Sequence, residues 1–572
     1  MVELDNISFP KEFYRDEVRD GFYVSEMMKR FWGAQMVVLS EIEKVCKRHD
    51  IDWFTDMGSL IGVVRHKGYI PWDDDLDISM MRENYEKFFK YAKDELPEGY
   101  CLLSLEDDPE YTLALGRVTN GRAINTSKEH MDKFCGCPYV VGVDIFPIDR
   151  IYNDKDKENA RKNKIKDIYE VNARLSASGT IDKAIDLRLD RIERETGVKI
   201  KRFGNIGKDL AFALQSACSE CRDEDAKEAA FMPPWAMGDR MNSPVEDFTH
   251  TIYVPFEFTN IRIPKKYDTI LTRNYGDYMT PVRGLGVHQY PVYTDQEQIL
   301  REKMGHNPYR YTFPSDFCVQ RIQPRLKDKC IEMFDIVEKA GQKISALRAA
   351  GNETDADRLL EGARQVQASL EEILDSPFGE RLDSGRKEAV FMPVKVQWWN
   401  TMKPYYDKCV ADENMEVYVI PLPYYDCDYS GAVGDIHDER EYFERVKELA
   451  GRLSSFDQYD LEKRHPDMIV IQVPYDEWSG TMTVPEKLYS ANLLKFTDEL
   501  VYIPCFDAED PESEADVAAS ALRLLIEQPA VVNADRVIVK SDAMRELYVE
   551  TMTGLAGNDT RSYWNNKIEI MK

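Results

Sequence analysis

Asp73, Asp74, Asp75 and Asp77 crowd five positions of this chain, a short distance after the pair Gly58-Ser59. In an extended segment successive side chains alternate faces, which puts Asp73, Asp75 and Asp77 on one side and Asp74, Leu76 and Ile78 on the other. Carboxylates gathered on one face repel one another unless a cation sits among them. An all-oxygen set of this density favours a hard ion, Mg²⁺ or Mn²⁺. A Gly-Ser turn beside such a site lets backbone N–H groups approach phosphate oxygens while the metal neutralises the same group. Arg65, His66 and Lys67 lie between the two features, where one or two could clamp a diphosphate. The competing reading is a solvated acidic turn, since runs of like charge are common on surfaces.

The elements around this stretch are legible. Met28, Phe31, Trp32, Met36, Leu39, Ile42 and Val45 recur at helical spacing, which predicts a helix from Ser25 to about His49 that serves core packing. It delivers the chain to a strand, IDWFTDM. A short helical pattern of Leu60, Ile61, Val63 and Val64 then stops at Gly68. After the aspartates, Asn84 to Leu96 reads as a helix, and CLLSL and YTLALGRVTN as strands. Arg117 lies in the second of these, where it would meet either a phosphate or a neighbouring carboxylate.

The run YVVGVDIFPID is almost wholly apolar around Asp144. An unpaired charge in a buried strand would cost several kcal/mol, so Asp144 either meets a basic group or completes a metal site. Asp149, after a proline, reads as a turn or cap residue. Residues 153–230 read as a charged helical insertion, TIYVPFEFTNIRIP as a hairpin, and Tyr267 to Met279 as a short helix with the lone His288 beyond it.

Composition bounds the rest. The chain has 572 residues and a formal net charge of −28, from 75 basic and 103 acidic residues. That length exceeds one ordinary core, and that charge repels nucleic acid and anionic membrane. Apolar runs fall short of the roughly 18–20 residues of a membrane span, and the N-terminus lacks an apolar signal region. The 11 cysteines, including Cys135-Gly-Cys137 and Cys218-x-x-Cys221, form no zinc set and read as free thiols of a cytoplasmic protein.

GSLIGVVRHKGYIPWDDDLDI resembles the LicD family, phosphocholine transferases related to fukutin with a nucleotidyltransferase fold. The similarity extends from about Phe31 to Tyr293, through VVGVDIFPID, TIYVPFEFTNIRIP and YGDYMTP in order. The resemblance implies that Asp144 occupies the third carboxylate position beside Asp75 and Asp77, so that the three bind the metal or act in catalysis. It implies donor contacts at Gly58, Ser59, Arg65, His66, Lys67 and Arg117. The implied substrate is a CDP-linked alcohol, foremost CDP-choline, whose phospho-alcohol passes to a glycan hydroxyl with release of CMP. Choline calls for an aromatic cage, with Trp53, Tyr69 and Trp72 as candidates.

Two helical runs, Cys330–Arg348 and Ala356–Leu374, flank Gly351-Asn352 and suit an antiparallel pair, either a connector or an element of self-association into a homo-oligomer. From Ala389 the runs AVFMPV, VYVIPLPYY, DMIVIQVPY, ELVYIPCF, AVVNA and RVIVKS alternate with helical patterns, as in a parallel sheet covered on both faces. No dinucleotide glycine fingerprint follows the first run. These stretches resemble the N-terminal half of CDP-glycerol glycerophosphotransferases, which implies an acceptor-binding or assembly role and a polysaccharide or teichoic-type acceptor. Trp398, Trp399, Tyr424 and Tyr425 are candidates for a sugar-binding face or for core.

The expected fold class is therefore α/β: an α+β nucleotidyltransferase-like domain over 1–300, a helical connector over 301–384, and a Rossmann-like parallel-sheet domain over 385–572. The leading rivals are transfer of phosphoglycerol, phosphoribitol or phosphoethanolamine, nucleotidyl transfer with release of pyrophosphate, and a non-catalytic glycan-binding scaffold.

Overall fold

A computed structural model describes residues 3–283, 290–313, 325–513 and 515–571. The chain forms two compact units, one of residues 1–14 and 27–299, the other of residues 15–26 and 300–572. The fold is mixed α/β in both.

In the first unit, α1 (Glu26–Arg48) buries the predicted stripe completely, with Met28, Trp32, Met36, Leu39 and Ile42 each at 0% exposure. Glu43 on the same helix is also buried, and it accepts hydrogen bonds from Trp53 Nε1 at 2.5 Å and Tyr253 Oη at 2.6 Å. The chain continues through β1 (Phe54–Thr55), the single-turn helix α2 (Met57–Ile61), β2 (Asp77–Met81), α3 (Arg82–Glu95), β3 (Cys101–Leu103), β4 (Gly116–Thr119) and β5 (Gly142–Arg150). These strands form one sheet in the order β1-β2-β5-β4-β3. Strands β2 and β5 are parallel, and the other pairs along that path are antiparallel.

The insertion is helical as expected. Helices α4 (Lys155–Ser178), α5 (Lys183–Thr196) and α6 (Ile206–Cys218) pack Ile165, Ile168, Leu189 and Leu210 into a core of their own. The short strand β6 (Glu228–Ala230) then returns to pair with the end of β5. The predicted hairpin forms from β7 (Thr251–Phe256) and β8 (Thr259–Pro264), followed by α7 (Tyr267–Tyr275).

Asp149 departs from its expected place in a turn. It lies on β5, 2% exposed, and both carboxylate oxygens accept from the buried Arg82 guanidinium at 2.7 Å. The proline before it leaves the strand intact, because the ladder continues through Ile148.

In the second unit, α8 (Leu326–Ala349) and α9 (Glu353–Leu374) pair antiparallel. Ile344 meets Ala356 near the turn, and Cys330 meets Leu370 at the far end. A six-stranded parallel sheet follows, made of β9 (Lys387–Met392), β10 (Met415–Val419), β11 (Met468–Ile471), β12 (Glu499–Tyr502), β13 (Arg536–Val539) and β14 (Ile568–Ile570). Its order is β10-β9-β11-β12-β13-β14, and every pair is parallel. Helices α10 (Trp399–Val410), α11 (Val517–Ile526) and α12 (Asp542–Ala556) connect and cover it.

One reading of this part changes, and one pair of alternatives is resolved. The run AVVNA is helical, residues Pro529–Asn533, started by a proline whose missing N–H costs nothing in a first turn. Trp398, Trp399 and Tyr424 are 8%, 3% and 4% exposed, so they are core rather than an open sugar-binding face. Tyr425 is half-buried. Cys135, Cys137, Cys218 and Cys221 are free thiols, and among the described residues no helix is long and apolar enough to cross a membrane.

Candidate functional site

The aspartates meet at the start of β2. Only Asp77 belongs to the strand; Asp73, Asp74 and Asp75 lie in the irregular segment before it. The simple alternation of faces therefore does not apply to them. What gathers the carboxylates is a clasp between α2 and β2. Asp56 caps α2 by accepting the N–H of Met57 at 2.9 Å, and its other oxygen accepts from Ser79 Oγ at 2.6 Å. The Asp56 N–H donates to the Asp77 carbonyl at 3.1 Å, and the Asp77 N–H donates to Ser59 Oγ at 2.9 Å. Met57 accepts a left-handed backbone, φ 53°, to make this corner.

Gly58 and Ser59 thus sit inside the first turn of α2, not in a turn before it. A Cβ on residue 58 would come within 3.1 Å of Asp73 Oδ2, so the glycine is what lets this carboxylate close on the helix. Gly62 is required for a similar reason: a Cβ there would press to 2.7 Å from the Gly68 carbonyl oxygen. The helix widens over residues 62–66 and ends at Lys67, whose φ is 60°.

Across the sheet, Asp77 on β2 is in register with Asp144 on β5, and Asp144 with Arg117 on β4. The Arg117 guanidinium binds both oxygens of Asp144, with Nη2 to Oδ2 at 2.7 Å. Of the two partners open to Arg117 in the sequence, the structure shows the carboxylate. Its side chain is 40% exposed rather than buried, and the bidentate contact occupies the fork expected to face a donor phosphate. Asp144 likewise meets a basic group.

The remaining acids are less compensated. Burial, and then the charges of Asp75, Asp144, Asp73 and Asp56, hold the Asp77 carboxyl well above the usual carboxylate range. Burial and the adjoining Asp75, which is hydrogen-bonded to it, do the same for Asp73. Two tyrosines that the sequence reading passed over complete the surroundings. The Tyr275 hydroxyl is pushed up by burial and by the charges of Asp56, Asp77, Asp73 and Asp75. The Tyr111 hydroxyl is pushed up by burial and by Asp144, and among the described residues it has no hydrogen-bond partner. Tyr275 opens the YGDYMT stretch, so a signal for it existed; Tyr111 carried none.

The other expected contacts are dispersed. Arg65 Nη1 donates to the Tyr278 carbonyl at 2.8 Å and so ties α2 to the YGDYMT segment. Lys67 Nζ donates to the Val64 carbonyl at 2.8 Å and is exposed. The His66 ring meets Trp72 edge-on at 5.8 Å. The three aromatic candidates do not converge. Trp53 is wholly buried, Tyr69 stacks on Trp32 at 4.6 Å, and Trp72 alone is part-exposed, with the Arg283 guanidinium 5.1 Å from its ring centre. His288 lies outside the described residues.

The donor set suits a hard divalent cation in its chemistry: it is oxygen-only, and Asp73 and Asp77 are held up by burial and by the charges of their acidic neighbours. Among the described residues, however, no three acidic, histidine or cysteine side chains are already posed about one point. The expected set Asp75, Asp77 and Asp144 is therefore not a preformed cage, because Arg117 holds the third member.

The site is a parallel strand pair with acidic residues at one end, closed by a helical corner. Residues 50–168 match the family described as LicD/FKTN/FKRP, nucleotidyltransferase domain, and form a LicD-type domain. The chain is 28% identical over 250 residues to the lipopolysaccharide cholinephosphotransferase LicD of Haemophilus influenzae, a match covering 42% of this chain and 87% of that protein. An uncharacterized protein of Rickettsia prowazekii is 38% identical over 47 residues, covering 8% of this chain and 18% of its own length.

Proposed function

We propose that the first unit transfers phosphocholine from CDP-choline to a hydroxyl of a cell-surface glycan and releases CMP. The observation that carries this reading is the Asp77–Asp144–Arg117 register, with Asp73 and Asp75 beside it in the segment matched by the LicD family. The similarity to a lipopolysaccharide cholinephosphotransferase over most of that protein's length supports the choice of alcohol and acceptor class.

Asp75 and Asp77, with Asp73 adjoining, would hold Mg²⁺ or Mn²⁺. A divalent ion there would neutralise diphosphate oxygens and the charge that builds on the leaving nucleotide. Asp144, oriented through both oxygens by Arg117, accepts the proton of the attacking glycan hydroxyl. That oxygen bonds to the phosphorus of the phosphocholine, the bond to the CMP oxygen breaks, and CMP departs. Ser59 fixes the first residue of β2 through the Asp77 N–H, and Arg65 secures the helix that carries it. The second unit would act in acceptor binding or assembly, the role that its sequence resemblance to half of a glycerophosphotransferase would imply.

Incubation with CDP-choline, CDP-glycerol, CDP-ribitol and CDP-ethanolamine in Mg²⁺, with CMP and pyrophosphate both measured, tests the reading. CMP release that is greatest with CDP-choline and lost in Asp77→Asn is the expected result. Pyrophosphate release from CTP instead would replace it with nucleotidyl transfer, and activity indifferent to Asp77 would leave only a scaffold.

A further inference from the structure

In the second unit the carboxyl ends of three neighbouring strands, β12, β13 and β14, open on a cavity of about 310 Å³. Ile503 follows β12, Ile538 and Val539 close β13, and Met571 lies just past β14. Leu522 and Leu525 of α11 and Tyr548 of α12 wall it, while the first turns of α10 bring Asn400 and Thr401 to its rim. Ligands of open parallel sheets bind outside the carboxyl ends of the strands, because the loops and helix starts converge there. The volume falls at the lower end of the about 300–1,000 Å³ of small-molecule sites.

The walls also limit the kind of ligand. They are mostly aliphatic, and Leu525, Ile538 and Tyr548 are themselves 1–2% exposed members of the core, so the surface is largely rigid carbon. Lys540 is the cation of the lining, and it is committed to Asp507, Nζ to Oδ1 at 2.9 Å. A phosphate would meet the Asp507 carboxylate and an ammonium that this carboxylate already neutralises. Thr401 Oγ1 already donates to the Trp398 carbonyl and accepts from Gln472, which leaves the exposed Asn400 amide at the rim, with the Tyr548 hydroxyl among the walls, to hydrogen-bond a ligand.

We propose that this cavity is a second small-molecule site, separate from the aspartate cluster, which takes an uncharged amphiphile: an apolar body within the aliphatic walls and a hydrogen-bonding end at Asn400. It requires no phosphate on the ligand, and it stands whether or not the transferase reading holds.

The test uses the full chain and the neutral fluorophore N-phenylnaphthylamine. Saturable binding is expected, displaced by octanol and unaffected by inorganic phosphate. Leu525→Trp and Met544→Trp fill the cavity, and a folded variant of either should bind at least tenfold more weakly. The methyl resonances of Met544 and Met571 give a readout that needs no variant, and both should shift on addition of the probe. Unmoved methyl signals, equal affinity in both folded variants, or displacement by phosphate would each overturn the proposal.

Discussion

Asp77 and Asp144 face each other across parallel neighbours, β2 and β5, and Asp144 faces Arg117 one strand further on. Adjacent strands are separated by about 4.8 Å, so backbone register alone brings the two acids together. One of them is neutralised by Arg117. The other sits among Asp56, Asp73 and Asp75, and the corner between α2 and β2 holds it there.

Asp77→Asn should therefore separate activity from stability. Turnover, followed as CMP release, is expected to fall roughly 100-fold or more. The melting temperature should hold or rise slightly, because a carboxyl raised by its neighbours is replaced by a neutral isostere. A large drop in melting temperature would show that the cluster stabilises the fold instead.

Arg117 and Asp144 should behave as a coupled pair. Arg117→Met leaves Asp144 facing Asp77 without compensation, and adding Asp144→Asn should recover part of the loss. Because Arg117 is 40% exposed, solvent screening limits the coupling to about 1 kcal/mol in a double-mutant cycle. Strict additivity would mean that the contact does nothing for stability.

The Arg82–Asp149 pair is a harsher case, at 3% and 2% exposure. Removing the guanidinium alone strands a buried carboxylate, so Arg82→Met should cost about 3–5 kcal/mol in chemical denaturation. The double change Arg82→Met with Asp149→Leu should restore much of it, since both buried charges then disappear. A mild effect of the single change would imply that water reaches Asp149.

Stability of the second unit should decline as pH rises from about 4 to about 7. Burial, and then the charge of Glu26, lifts Asp16 from 3.8 to about 7, and burial lifts Asp476 to about 6. Raised folded-state values mean that the native state holds more protons than the unfolded chain in this window. Native stability is then greatest below the unfolded value and is lost as the pH passes the folded one. The slope contributed by Asp16 is at most about 1.4 kcal/mol per pH unit, and Asp16→Asn should flatten it in denaturation curves at pH 5 and 7. An unchanged slope would place Asp16 outside the titration.

Tyr275→Phe should lower kcat by roughly tenfold with little change in melting temperature, because only a part-exposed hydroxyl that touches Met57 Sδ and feels the charge of the acidic cluster is lost. Unaltered kinetics would make Tyr275 a packing residue.

Several features were open to reading in the chain itself. The stripe on α1, the helical insertion and the α8–α9 pair follow from periodicity, because burying one face imposes a repeat that neighbours in sequence must share, while the β7–β8 hairpin and five strands of the parallel sheet follow from short β-rich or continuous apolar runs. Asp75 and Asp77 stood out by the density of acids after Gly58-Ser59, and Asp144 as a charge where the run called for carbon. Tertiary structure decided the rest. Nothing local distinguishes Asp144, bound to Arg117, from Asp149, bound to Arg82, since each partner lies at least 27 residues away. Equally, the separation of Trp53, Tyr69 and Trp72, the place of Tyr111 and Tyr275 beside the acids, and the grouping of residues 15–26 with the C-terminal unit depend on contacts distant in sequence. A residue type and its spacing can announce that a charge needs a partner; which partner it receives is settled only when strands and helices remote in the chain pack side by side.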